Sequence, residues 1–276
     1  MTALATLAGM DNIAFIGGGN MAAALVGGLI RAGHDPARLQ VVEPVESQRE
    51  RLAAQFGVRP VAQAHASLRE AALVVWAVKP QTFAEAAAAC QGWLKGALQL
   101  SVMAGIRSEA IVQASGSPQV VRAMPNTPAL IGRGIAGLYA REAVSAAQRA
   151  LVEQVLAPTG ALVWVDREPD LDAVTALSGS GPAYVFYFLE AMMQAAAEMG
   201  LSAEQGRQLA LATFDGATAL ALQSPLSPQE LRAQVTSKGG TTHAAITSME
   251  ADGMKAAFIK AMQAARARAR ELGEPA

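Results

Sequence analysis

The chain is short of the residues from which redox, metal and nucleic-acid sites are assembled. Its one cysteine, Cys90, has no intramolecular partner, so no disulfide is expected and a reducing, cytoplasmic location is. That cysteine and three scattered histidines, His34, His65 and His243, supply no zinc site, and no metal is expected. Aromatics make up 5% of a chain that is 52% hydrophobic, so the core must be built from Ala, Leu, Val and Met, which favours long, closely packed helices. The net charge is -1 with no run of Lys or Arg, which removes the electrostatic footprint of a nucleic-acid or polybasic membrane binder. Gly, Pro or a charge interrupts every apolar stretch before it reaches the roughly 20 residues of a membrane span. Met1 to Met10 lack the basic start and apolar centre of a signal peptide and read as a disordered lead-in. The partner expected by elimination is a small molecule.

What is present changes character near Asp166. Between Asn12 and Asp166, short apolar runs alternate with helix-like segments: 13–16, 39–42, 73–78, 98–103, 120–123, 135–139 and 162–165. Runs that are nearly continuously apolar are strands buried on both faces, and most of the intervening segments have the length of crossover helices. Beyond Asp166 the strand signals stop, and 171–199, 203–223, 228–235 and 254–272 read as helices punctuated by Gly200, Ser-Pro pairs, Gly239-Gly240 and Gly253. The fold class is therefore α/β, with a doubly wound domain over 1–166 and an all-helical domain over 167–276. Several of the late helices, such as the one carrying Ala191-Met192-Met193, are apolar around much of their circumference. Burial of these faces by a second subunit is expected.

Directly after the first strand, which ends at Ile16, stands Gly17-Gly18-Gly19-Asn20-Met21-Ala22, leading into an Ala-rich helix. Glycines here permit a tight turn and bring backbone N–H groups and the helix N-terminus up to a pyrophosphate, and Ala22 takes the third position of the Gly-x-Gly-x-x-Gly/Ala pattern. This is the Rossmann-type signature of NAD or NADP binding. The second strand runs into Glu43-Pro44, with Glu43 24 positions beyond Gly19, where such folds place the residue that meets the adenosine ribose. A carboxylate there favours NADH, whereas Ser47, Gln48 and Arg49 just beyond it could serve the 2′-phosphate of NADPH. Either nucleotide is compatible with the sequence. Ala77-Val78-Lys79-Pro80 and Ser101 to Gly105, which contains Ala104, end two further strands and should border the cofactor, although Pro80 is also explained as a helix N1 residue.

Neither paired carboxylates nor a Ser/His/Asp order marks a general acid or base. Reduction of a protonated imine needs neither, because the nitrogen already carries its proton and the protein has only to orient the reactants. The segment best suited to hold such a substrate is Val235 to His243. Its Gly239-Gly240 pair exposes backbone N–H groups to an anion, and Thr241 and Thr242 add hydroxyls. Ordinary capping of two helices explains the same residues equally well.

Five motifs decide between these readings: Gly17 to Met21, Ala77 to Pro80, Met124-Pro125-Asn126-Thr127-Pro128, Ser178 to Tyr184 and Thr236 to Thr242. In order and spacing the chain resembles the pyrroline-5-carboxylate reductase family over practically its whole length after Met10. The resemblance implies reduction of 1-pyrroline-5-carboxylate to L-proline with NADPH or NADH, the last step of proline synthesis. It also implies a helical C-terminal dimerisation domain and a homodimer, often within a decamer. It places Ser237, Gly239, Gly240, Thr241 and Thr242 around the substrate, with the Thr242 hydroxyl at the ring nitrogen, and it brings Glu168 and Gln234 near substrate or cofactor. Ala64 stands where some relatives carry Asn, and Lys238 where many carry Pro.

Three other activities fit parts of the pattern. A reductase of a related cyclic imine carboxylate would need the same residues. A non-enzymatic nucleotide sensor would keep the glycine loop but need no anion nest at Gly239-Gly240. A hydroxyacid dehydrogenase of similar organisation would require a catalytic Lys after the glycine-rich helix start, whereas Pro182-Ala183-Tyr184-Val185-Phe186 follows Gly181.

Overall fold

The computed structural model describes residues 12–94 and 96–274, so the reading of Met1 to Met10 lies outside the described residues. The chain forms two compact units, one running to Ser180 and including Ala265 onward, the other Gly181–Ala264.

The first unit is built on a seven-stranded sheet of order β2-β1-β3-β4-β5-β6-β7. Its strands are β1 (Ile13–Ile16), β2 (Leu39–Val42), β3 (Leu73–Trp76), β4 (Leu98–Ser101), β5 (Val120–Met124), β6 (Gly134–Ala140) and β7 (Gly160–Trp164). The first five are mutually parallel. They are joined through α1 (Asn20–Arg31), α2 (Glu46–Phe56), α3 (Phe83–Ala89) and α4 (Ser108–Ser115). Because side chains alternate across a strand, Ile13 and Phe15 of β1 enter one core with Leu25, Leu29 and Leu52, while Ala14 and Ile16 enter another with Phe83 and Ile111. Helices therefore cover both faces, as the unbroken apolar strands require.

The sheet departs from a purely parallel one at β5. Only a short 3-10 turn, Thr127–Ile131, separates β5 from β6, which is too little for a crossover, so β6 runs antiparallel to β5. The helix α5 (Ala146–Leu156) then returns the chain to β7, parallel to β6. Residues along β7 alternate in exposure, as befits an edge strand.

Strands end at Trp164, close to the change of pattern at Asp166, but the compact units divide later, at Ser180. The helix expected over 171–199 is interrupted. It comprises α6 (Asp170–Val174), a π-turn (Thr175–Gly179) and α7 (Gly181–Glu198). The Thr175 and Ser178 hydroxyls bond back to the carbonyls of Leu171 and Val174, a habit of mid-helix Ser and Thr that loosens the regular ladder.

The second unit contains α7, α8 (Ala203–Gln223), α9 (Pro228–Gln234), α10 (Thr241–Ala251) and the first half of α11 (Met254–Gly273). Tyr184 and Phe188 of α7 meet Phe258 of α11 edge to face. Much apolar surface is left open, with Tyr187 70%, Met199 75% and Leu222 81% exposed. No helix among the described residues is long and apolar enough to cross a membrane.

Candidate functional site

The turn from β1 into α1 leaves no room for side chains. Gly17 has φ +100, and a Cβ on it would lie 2.6 Å from the Ala77 carbonyl oxygen. A Cβ on Gly18 would meet Leu52 and Glu43, whereas one on Gly19 would meet nothing within 4 Å. Gly19 is the N-cap of α1, and no side chain caps the helix. The first-turn N–H groups of α1 are therefore presented toward open space, as an anion site requires. Asn20 is exposed and Met21 half-buried beside them.

Glu43 does not project toward a ligand. It is 6% exposed, its Oε2 accepts the Gly18 N–H at 2.7 Å, and its Oε1 accepts the Val45 N–H at 2.8 Å. Both oxygens of the carboxylate thus hold the glycine loop to the end of β2. Arg49 is equally anchored, donating from one guanidinium nitrogen to the carbonyls of Glu43 (3.0 Å) and Pro44 (2.7 Å). A guanidinium fixed at this corner is more than a solvated helix residue.

Between the ends of β1, β2 and β3 opens a cavity of about 590 Å³ lined by Ile16, Gly17, Pro44, Ala64, Val78 and Cys90 among others. Its position at the carboxyl edge, where the chain order reverses around β1, is where open α/β sheets bind nucleotides. The mainly apolar lining suits a planar base. Burial pushes the Cys90 thiol up to about 11, which keeps it protonated and unreactive at neutral pH. Of the neighbouring tetrapeptide, Ala77 bonds its N–H to the Ile16 carbonyl, Lys79 is exposed, and Pro80 begins a 3-10 helix capped by Lys79. Ala104 lies half-buried in the turn after β4. A backbone cradle, a helix N-terminus and an apolar cavity together fit a dinucleotide.

In the second unit, α9 gives way to a turn in which Gly239 has φ +79 and the Gly240 N–H bonds the Ser237 carbonyl at 3.0 Å. Gly240 is the N-cap of α10, and again no side chain caps the helix. Thr241 and Thr242 are its first two residues, Thr241 exposed and Thr242 half-buried. Capping by threonine, the alternative raised by the sequence, is therefore not what starts this helix. The contrast with α5, α8 and α9 is instructive, since each of those begins with a complete serine capping box, at Ser145, Ser202 and Ser227. Ser237, Lys238 and Gln234 are exposed around the turn.

Glu168 has its carboxylate committed within the first unit. It accepts the N–H and hydroxyl of Ser108, both at 2.6 Å, and pairs with Arg122 at 2.9 Å. Burial alone would raise its pKa, but the Ser108 bonds and the Arg122 charge outweigh it and hold the group below the usual carboxylate range. A second pair adjoins it, Arg107 forking onto Asp172 at 3.1 and 2.9 Å. Asn126 joins two of the sequence motifs, donating to the Ser178 carbonyl at 3.2 Å and accepting the Ile135 N–H at 3.0 Å. The anchoring of Arg49 and the pairing of Arg107 and Arg122 carry no sequence signal, because their partners are backbone carbonyls or carboxylates distant in the chain.

Comparison with known proteins gives this arrangement its kinship. Residues 168–272 match the family described as pyrroline-5-carboxylate reductase dimerisation, and residues 12–105 the family described as NADP oxidoreductase, coenzyme F420-dependent. The chain is 44% identical to the pyrroline-5-carboxylate reductase of Pseudomonas aeruginosa, over 95% of this chain and 97% of that one. A solved pyrroline-5-carboxylate reductase from Coxiella burnetii is 37% identical and matches with a TM-score of 0.90, over 97% of this chain and all of the other (100%). The pyrroline carboxylate reductase of Plasmodium falciparum, solved with NADP bound, is 27% identical and matches with a TM-score of 0.86, over 96% and 100%. The chain belongs to the pyrroline-5-carboxylate reductase family.

Proposed function

We propose that this chain reduces 1-pyrroline-5-carboxylate to L-proline by hydride transfer from NADPH or NADH. The observation that carries the reading is the pair of glycine-led helix starts, α1 and α10, neither closed by a side-chain cap. One suits a pyrophosphate; the other, beside Thr242, suits a carboxylated ring.

A bound nicotinamide supplies the hydride. Toward it the chain contributes Ile16, the N–H groups of Gly17 to Met21 around the pyrophosphate, and Ala77 to Pro80 with Ala104 beside the dinucleotide. Glu43 and Pro44 shape the adenosine corner. Because the Glu43 carboxylate is engaged by Gly18 and Val45, its obstacle to a 2′-phosphate is reduced, and Arg49 offers that phosphate a fixed cation. NADPH is accepted on this reading.

The N–H groups at Gly239 and Gly240, with Ser237 and Thr241, hold the substrate carboxylate, and the Thr242 hydroxyl accepts from the protonated ring nitrogen. Hydride adds to the imine carbon, the C=N electron pair moves to nitrogen, and no further acid is needed. Gln234 stands at the edge of this turn. Glu168 acts through Ser108 on α4 and not on the substrate. The functional division is placed at Asp166, with 167–276 as the substrate-binding and dimerisation domain of a cytoplasmic homodimer that assembles further into decamers; the open apolar faces of α7 and α8 support association.

Steady-state kinetics with both nicotinamides and with five- and six-membered imine carboxylates tests the proposal. Oxidation of NADPH dependent on pyrroline carboxylate is expected. Nucleotide binding without turnover on either imine would make the protein a sensor, and turnover confined to the larger ring would reassign the substrate.

A further inference from the structure

The turn that follows β4 is held by an unusual set of long-range contacts. Arg107, the N-cap of α4, forks onto Asp172 of α6 and sends its Nε to the carbonyl of Gly273, in the last turn of α11, at 3.3 Å. A cation at a helix C-terminus is favourable in itself, and the bidentate carboxylate fixes the guanidinium plane. Two glycines make the approach possible. A Cβ on Gly105 would lie 2.9 Å from the Leu272 carbonyl oxygen, and one on Gly273 would lie 2.5 Å from the Arg107 guanidinium. The Arg122–Glu168 pair stands alongside and ties β5 to the same helix start at Ser108. Three elements distant in sequence thus converge on residues 104–108.

We propose that Arg107 is a positioning residue for hydride transfer, using Asp172 and the end of α11 to hold the Ala104–Gly105 turn against the nicotinamide. The inference rests on the reading that Ala104 borders the cofactor. It explains why such a clamp sits here, since a simple helix cap needs neither a fork to α6 nor a glycine at the end of α11. Binding energy for the dinucleotide comes mostly from the glycine loop and the adenosine cavity. Loosening this turn therefore shifts the reacting carbon without releasing the cofactor, and displacement of a reactant by about 1 Å can cost on the order of a hundredfold in rate.

The test is Arg107→Met in the full-length protein, with kcat expressed per bound NADPH so that misfolded material does not count. A fall in kcat of roughly tenfold to a hundredfold is expected, with the NADPH dissociation constant changed by less than about threefold. Arg107→Lys, which keeps the charge but loses the fork, should recover part of the rate. Gly273→Ala and Asp172→Asn should lower kcat in the same sense by less, and they serve as the measurement if Arg107→Met does not fold. Wild-type kcat in the folded variants, with only the melting temperature reduced, would overturn the proposal and leave a structural clamp. Ala104→Leu separates the premise from the inference. If it is active with unchanged kinetics, the nicotinamide does not lie there and the inference falls with the reading. If it is impaired while the Arg107 and Gly273 variants are not, the reading stands and only the inference fails.

Discussion

The helices α1 and α10 each start from a glycine N-cap without a side-chain cap, and their settings are opposite. At α1 the turn is walled in by the Ala77 carbonyl, Leu52 and Glu43, while at α10 a Cβ on Gly239 would meet nothing within 4 Å and one on Gly240 only Ser237 of its own turn. The first is therefore dictated by the sheet around it, and the second by its own few residues and by whatever packs over an exposed helical unit. A glycine required by the fold and a glycine required by a ligand look alike in sequence. They differ in what surrounds them.

The largest effect that would sharpen this comparison is expected at Gly17. Gly17→Val demands a positive φ from a β-branched residue and drives its side chain into the Ala77 carbonyl, so nucleotide binding should be lost and the β1–β3 core destabilised. Gly19→Ala has room for its methyl in the protein alone and should keep the melting temperature within a degree or two while weakening NADPH. If Gly19→Ala binds NADPH as the wild type does, no phosphate approaches α1. Gly239→Ala, strained only by its φ, should cost about 1–2 kcal/mol of local stability with no clash.

Next in size is Thr242→Ala. A hydrogen bond to a charged group is worth about 1.5–3 kcal/mol, so kcat/KM for the imine should fall roughly tenfold to a hundredfold with the NADPH dissociation constant unmoved. Thr242→Ser should restore most of it. Equal kinetics for wild type and Thr242→Ala would reduce the α10 start to a helix terminus without a ligand and break the parallel with α1.

At the adenosine corner a smaller effect is expected, about tenfold or 1.4 kcal/mol. Arg49→Ala should lower the NADPH over NADH ratio of kcat/KM by that factor. Glu43→Ser should weaken both nucleotides alike by freeing the Gly18 N–H, whereas the sequence alone predicts a selective gain for NADPH. A selective gain in the experiment would mean that the carboxylate turns toward the ribose when nucleotide binds.

These cases show which parts of the site were legible beforehand. The seven strands, the glycine loop and the run of late helices follow from periodicity and breakers, which are local. So does the candidate turn at Gly239-Gly240. The antiparallel β6 was missed because direction depends on whether the segment between Met124 and Gly134 forms a crossover, and its Thr127–Ile131 form only a 3-10 turn. The partners of Glu43 and Glu168 were not legible for a related reason: a carboxylate at a strand end or in a loop looks available until the backbone N–H groups and arginines that engage it are placed around it.

Glu168 offers the prediction with the least effect on turnover and the clearest sign. Its carboxylate is ionised in the folded protein below its ordinary value of 4.5, because the Ser108 hydroxyl and N–H and the Arg122 guanidinium favour the charged form more than burial disfavours it. A group whose pKa is depressed by folding binds its proton more readily in the unfolded chain. The stability it adds is thus fully present above about pH 4.5 and is lost as the pH falls toward the folded value. Glu168→Gln keeps the size and one acceptor but removes the charge, and it leaves Arg122, itself disfavoured by burial, without its partner. The variant should lose about 1–3 kcal/mol at pH 7 and show a shallower decline of melting temperature between pH 6 and pH 4 than the wild type. Turnover at pH 7.5 should stay within about twofold, since one acceptor still receives the α4 N-terminus. Parallel acid profiles for the two proteins would show that the Ser108–Glu168–Arg122 linkage contributes nothing to the folded state. A collapse in kcat with stability unchanged would instead return Glu168 to the substrate.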